Sequence, residues 1–254
     1  MKTLFLAWQD PTTRAWFPVG RLTFDGTQYT FVYTQGAKQA QDKCEFNLVY
    51  SFPDLHRIYT STELFPLFYN RVMQTSRPDY KDCIQWLNIP ENEDDPMAIL
   101  SRSGGRKVTD HYEVFPCPEP DENGLYKIHF FAHGLRHFPP STIERINQLQ
   151  TQEVLYLAHE FQNPYDSRAL LLCTKDHHIV GYCPRYIVDD VFKLNNKNSE
   201  LLTVYVERIN PVPAPLQLRL LCSLTAEWRD DFRPFSSQEY QPIVADIPAE
   251  YVTT

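Results

Sequence analysis

The feature that most restricts this chain is a short stretch near its middle, Cys117-Pro118-Glu119-Pro120-Asp121-Glu122-Asn123-Gly124. Its prolines, its glycine and its acids can continue neither a helix nor a strand ladder, and it offers no aliphatic or aromatic side chain to pack. A domain boundary falls there. The chain has 254 residues, 43% of them apolar, which is material for two modest cores. The expected organisation is a first domain over residues 1–124, a second over 125–224 and an acidic, proline-containing tail over 225–254.

The first domain opens with strand-like alternation at Leu4–Trp8, Trp16–Phe24 and Tyr29–Tyr33, and Asp25-Gly26 between the last two is a hairpin signal. From about Ser61 the period changes. Leu64, Phe65, Leu67, Phe68, Val72 and Met73 make an apolar stripe at helical spacing ahead of Arg77-Pro78, a second short helix spans Asp79–Leu87, and Met97–Leu100 fits a turn or two ending at Gly104-Gly105. The acidic run Glu91–Asp95 separates the last two as a solvated break.

The second domain reads as short β runs: Tyr126–Ala132, Glu153–His159, Ala169–Cys173, His178–Tyr182, Leu201–Val206 and Leu216–Leu224. One helix runs from Ser141, a hydroxyl N-cap with Glu144 three residues on, to about Leu149. Another follows Pro184 to about Leu194. Short strands at this spacing with two helices predict a small barrel with capping helices, and the whole chain is of α+β class.

Charge and cysteines bound the function. The net charge is -8, whereas a binder of long duplexes carries a basic face. The charge is uneven: residues 125–224 hold 10 Lys and Arg against 9 Asp and Glu, residues 1–124 hold 12 against 17, and 225–254 hold 2 against 6. The second domain is therefore near neutral, suited to holding a strand end through a few placed contacts. Cys44, Cys83, Cys117, Cys173, Cys183 and Cys222 form no C-x-x-C pair and no zinc-type spacing, so they read as reduced, mostly buried thiols. The apolar run at the N-terminus is too short for a signal h-region or a membrane span, and a cytoplasmic protein is expected.

Three ordered elements of the second domain resemble the signature of HIRAN domains. They are Gly134-Leu135-Arg136-His137-Phe138, then the run Glu160-Phe161-Gln162-Asn163-Pro164-Tyr165-Asp166-Ser167-Arg168-Ala169-Leu170, then Val180-Gly181-Tyr182-Cys183-Pro184-Arg185. The resemblance implies an OB-like barrel holding the free 3′ end of single-stranded DNA. It makes Tyr165 a base-stacking platform and Asp166, assisted by Asn163, the acceptor for the terminal hydroxyl. Arg136 and Arg185 would contact phosphate, and Phe138 and Tyr182 would line the pocket. His137 falls where the DNA-binding members have a second stacking tyrosine, and imidazole stacks less well than phenol. Read from the residues alone, Asn163–Asp166 is also a β-turn in which Pro164 fixes φ, Asp166 caps and Tyr165 packs on the barrel.

The first domain is similar, less specifically, to the N-terminal region of HipA-type kinases. The residues concerned are Pro18–Leu22, Phe31–Tyr33, Leu64–Arg71 and Pro96–Leu100 through Arg106. Such kinases continue into an ATP-binding lobe, and here the HIRAN-like region takes its place, so no kinase activity is expected. This resemblance implies a second possibility, a regulatory protein docking a kinase or another partner through its first domain.

Other constellations carry little. His177-His178 near Cys173 and Cys183 alternate faces on a hairpin and do not make a metal site. Gly104-Gly105-Arg106-Lys107 lacks the spacing of a phosphate loop, and no nucleophile sits in a catalytic motif. The expectation is a non-catalytic protein without cofactor or metal, not inserted in a membrane, whose ligand is a single-stranded DNA end.

Overall fold

The computed structural model describes residues 1–90, 93, 95–195, 202–228 and 231–244. Glu91, Asn92 and Asp94 of the expected acidic break, Leu201 of one expected strand and Arg229, Asp230 and residues 245–254 of the expected tail lie outside the described residues. The chain packs as two compact units. The first takes Met1–Gln74, Asp95–Cys117 and the segment from Phe235; the second takes Thr75–Asp94 and Pro118–Pro234. Thr75–Asp94, from within residues 1–124, groups with the second unit, and the segment from Phe235, from within residues 225–254, groups with the first.

In the first unit, β1 (Lys2–Gln9), β2 (Trp16–Phe24), β3 (Tyr29–Tyr33), β4 (Tyr59–Ser61) and β5 (Tyr112–Pro116) form an antiparallel sheet of order β4-β3-β2-β1-β5. The β2–β3 turn is set by Asp25, whose Oδ1 accepts from the amides of Thr27 and Gln28, both at 2.8 Å. Helix α1 (Gln35–Cys44), not anticipated from sequence, follows β3 directly. Its buried side is only Gly36, Ala37 and Ala40, too small an apolar stripe to read as a helical period. Close packing explains those small residues: a Cβ on Gly36 would lie 2.0 Å from the Pro18 carbonyl oxygen.

The expected long helix over Leu64–Met73 is a single turn, α2 (Pro66–Tyr69). Pro66 starts it, and the apolar residues around it pack one by one instead of as a stripe. Phe68 is fully buried, while Leu64, Phe65, Leu67 and Val72 lie against the same core. The next helix, α3 (Tyr80–Trp86), belongs to the second unit. Helix α4 (Pro96–Ser103) returns to the first, capped by Asp95, which accepts from the amides of Met97 and Ala98, and ended by Gly104 at φ 74°. Arg71, 2% exposed at its side chain, pairs with Asp110 and donates to the Gly105 carbonyl at 2.9 Å. The expected tail instead begins inside a strand of the second unit, and its described part from Phe235 is a packed strap of the first. Phe235 and Tyr240 meet the Phe5 ring edge-on at 5.4 and 5.2 Å, and the Ile243 amide donates to Tyr33.

The second unit holds a six-stranded antiparallel sheet of order β6-β11-β10-β7-β8-β9, from β6 (Leu125–Phe131), β7 (Val154–His159), β8 (Leu170–Cys173), β9 (Ile179–Tyr182), β10 (Thr203–Ile209) and β11 (Leu220–Glu227). The expected strand at Leu216–Leu224 begins as a 3-10 turn over Leu216–Leu218, and the ladder starts at Leu220. The sheet is a curled half-barrel. His133, just beyond β6, exchanges both backbone hydrogen bonds with Tyr182 at the end of β9, each at 2.9 Å, which brings the two edges of the sheet together. Helix α5 (Pro140–Ile146) is entered through Pro139 and Pro140, so Ser141 lies inside its first turn and is not the cap. Helix α6 (Arg185–Asn195) buries Ile187, Val188, Val191 and Leu194 at helical spacing. The α3 segment is tied to β10: Asn210 Nδ2 donates to the Trp86 carbonyl at 2.8 Å and Asn88 Nδ2 to Glu207 at 3.1 Å.

Among the described residues, no helix is long and apolar enough to cross a membrane. All six cysteines are free thiols, with Cys83, Cys183 and Cys222 buried.

Candidate functional site

The eight residues singled out in the sequence lie on three segments of the second unit that converge at the closing edge of the half-barrel. Arg136, His137 and Phe138 sit on the 3-10 turn after β6, Asn163, Tyr165 and Asp166 on the loop joining β7 to β8, and Tyr182 and Arg185 at the end of β9 and the start of α6. The His133–Tyr182 pairing fixes the first segment against the third. Gly134 makes that approach feasible. Its φ is +76°, and a Cβ there would lie 2.7 Å from Tyr182 Cδ2.

Tyr182 packs on Phe138 with ring centroids 5.3 Å apart. Its hydroxyl donates to Glu160 Oε2 at 2.9 Å, and the same oxygen accepts from Asn163 Nδ2 at 2.6 Å. Partial burial, then the hydrogen bond and negative charge of Glu160, push the Tyr182 phenol up to about 12. Tyr182 therefore stays a neutral donor. Glu160 joins the aromatic wall to the loop; it stood inside the matched sequence without an assigned role, and a carboxylate three residues ahead of Asn163 was the available signal.

The β7–β8 loop is closed at its base, where the Glu160 amide donates to Ala169 O at 2.9 Å. Within it Asn163 Oδ1 accepts from the amides of Tyr165 and Asp166, both at 3.0 Å, which is an Asx turn. The turn reading of this segment was correct in kind but assigned the cap to Asp166, whereas Asn163 makes it. Asp166 Oδ1 accepts instead from the Arg168 amide at 3.0 Å, and its Oδ2 pairs with Arg185 Nε at 2.8 Å. Arg185 Nη2 also donates to the Tyr165 carbonyl at 2.9 Å. Arg185 thus holds the loop from the helix side. Tyr165 does not pack on the barrel: the residue is 73% exposed while its backbone is held on both sides. Arg136 and His137 are exposed too, with Arg136 Nε donating to His137 Nε2 at 3.0 Å. Among the described residues no group of three or more His, Cys, Asp or Glu side chains is arranged to hold a metal ion.

An exposed tyrosine on a pinned turn, the partly exposed carboxylate next to it in sequence and an arginine bonded to both can stack a flat ring and accept one hydroxyl hydrogen bond, with a further exposed arginine on the turn after β6. Residues 125–229 match the family model of the HIRAN domain. The chain carries a HIRAN domain. Among solved structures, a Lactobacillus plantarum protein is similar at 20% identity over 41% of this chain and 97% of its own, with a TM-score of 0.31. The HIRAN domain of human HLTF is similar at 17% identity over 41% of this chain and 74% of its own, with a TM-score of 0.29. No curated protein matches the chain. The HIRAN match does not extend into residues 1–124, and the HipA-type resemblance there gains no support from these comparisons.

Proposed function

We propose that the HIRAN domain binds the free 3′ end of single-stranded DNA as a non-catalytic recognition module. The observation that carries this reading is Tyr165: a largely solvated aromatic ring on a loop whose backbone is fixed by Asn163 and Arg185. A base stacks on such a face whatever its identity, and a pinned turn loses little entropy on binding. Asp166 supplies the selectivity for ends. A carboxylate has about four lone-pair sites, so the two contacts it makes leave room for one hydroxyl donor, while a terminal phosphate would meet a like charge. Arg185 positions Asp166 and Tyr165. Arg136, exposed on the turn after β6, supplies a phosphate contact in this reading.

The second reading, docking of a kinase or another partner through the first domain, has no comparable exposed and fixed group to carry it around α2, where Phe68 is buried and Leu64, Phe65, Leu67 and Val72 are half-buried against the core. Fluorescence anisotropy of a short 3′-OH strand at fixed, stated salt tests the proposal. Tyr165→Ala is expected to weaken binding roughly 5- to 150-fold, the loss of one stacked base. Equal affinity of wild type and Tyr165→Ala would overturn it.

A further inference from the structure

The β7–β8 loop presents a second solvated ring. Phe161 is 79% exposed, on the same Glu160–Ala169 loop as Tyr165. Single exposed apolar residues need no explanation, but this one is packed on a fixed ring at its back, tilted 42° to it. Its ring lies 4.1 Å, centroid to centroid, from the imidazole of His159. His159 is held by a 2.7 Å contact between Nε2 and the Ser167 carbonyl oxygen, and the Phe192 ring of α6 meets it edge-on at 5.5 Å. The Arg168 guanidinium lies over Phe192, 4.8 Å from its centroid, and pairs with Asp189. Phe161 is thus propped from behind through three further side chains while most of its own surface stays in water.

The geometry points to a second base-stacking subsite at Phe161, which takes a nucleobase interior to the one on Tyr165, so that the bound unit is a run of at least two nucleotides and not a lone terminus. This rests on the end-binding reading above. Three features argue for a nucleobase as the occupant. The ring is flat and supported on one side, it shares its loop with the Tyr165 platform, and its support ends in a guanidinium. Stacking of successive bases on aromatic side chains beside cationic groups is the physical basis of single-strand binding without sequence preference.

The test uses the full chain and 3′-OH hexanucleotides carrying 2-aminopurine at successive positions, whose fluorescence is quenched by stacking. Phe161→Leu keeps apolar bulk but removes the π-face, and Phe161→Tyr restores it. Phe161→Leu is expected to restore fluorescence at one interior position while the terminal position stays quenched. It should weaken hexanucleotide binding roughly 5- to 150-fold, with Phe161→Tyr close to wild type. Tyr165→Ala should instead release the terminal position. If Phe161→Leu leaves every position quenched and affinity unchanged while Tyr165→Ala weakens binding, the second subsite is wrong and the end-binding reading stands. If the wild-type chain binds no strand at low salt, both fall together.

Discussion

Replacing Gly134 by alanine tests the geometry that brings the site together. Two costs add. At φ +76° an L-residue sits in the left-handed region, a cost of about 1–2 kcal/mol. The new Cβ would also lie 2.7 Å from Tyr182 Cδ2, closer than real Cβ contacts come. That ring cannot swing aside freely, because Phe138 packs on it and its hydroxyl is bonded to Glu160. Overpacking of this kind costs about 1–3 kcal/mol. Gly134→Ala is therefore expected to destabilise the second unit by about 2–5 kcal/mol. With two units, global unfolding is not a single transition. The assay is hydrogen exchange of β9 peptides across a urea series, which reads the second unit alone. In a Tyr182→Ala background the steric part vanishes and only the backbone part, about 1–2 kcal/mol, remains, so the double-mutant cycle returns the difference as coupling. A cost below about 0.5 kcal/mol, or the same cost in both backgrounds, would refute the reasoning.

Other consequences are equally specific. The Tyr33 hydroxyl donates to the Phe52 carbonyl at 2.8 Å and accepts from the Val49 amide at 2.9 Å, so Tyr33→Phe should cost about 1–3 kcal/mol in urea unfolding of the first unit. Asp110→Ala strands the buried Arg71 guanidinium and should cost about 3 kcal/mol by the same measurement. The Tyr182 phenol sits at about 12 in the folded chain against about 10 when unfolded. Its neutral form is the one the fold favours, so its contribution is complete below about pH 10 and lost as the pH rises toward 12. Titration at 295 nm should show one fewer late-ionising phenol in Tyr182→Phe, and alkaline destabilisation of β9 should begin later.

The second unit was the more legible half of the sequence. Its strands alternate, its helix after Pro184 buries residues at regular spacing, and three motif segments marked the loops that converge at Tyr182. What sequence could not show was which side chains tie the loops to each other. Asn163 and Asp166 are both plausible turn caps by type, and only their positions give the cap to Asn163 and the arginine pair to Asp166. Glu160 and Phe161 lie in the matched run but outside its Asn163–Leu170 signature, so sequence assigned them no role. In the first unit, α1 has alanines and a glycine on its buried side and no apolar period to find. Leu64–Met73 has a helical period, but Pro66 and the core around Phe68 break it into one turn. The aromatic strap at Phe235 and Tyr240 lies in an acidic, proline-containing stretch whose composition hides its packing.

The central claim is that Asp166 and Tyr165 read a free 3′ hydroxyl. The most direct measurement is anisotropy of one short single strand with a 3′-OH against the identical strand bearing a 3′-phosphate, at one stated ionic strength because phosphate contacts make every affinity salt-dependent. The account predicts tighter binding of the 3′-OH strand, with the preference shrinking in Asp166→Ala. Equal binding of both strands by the wild-type chain, or a preference that survives Asp166→Ala undiminished, would contradict it.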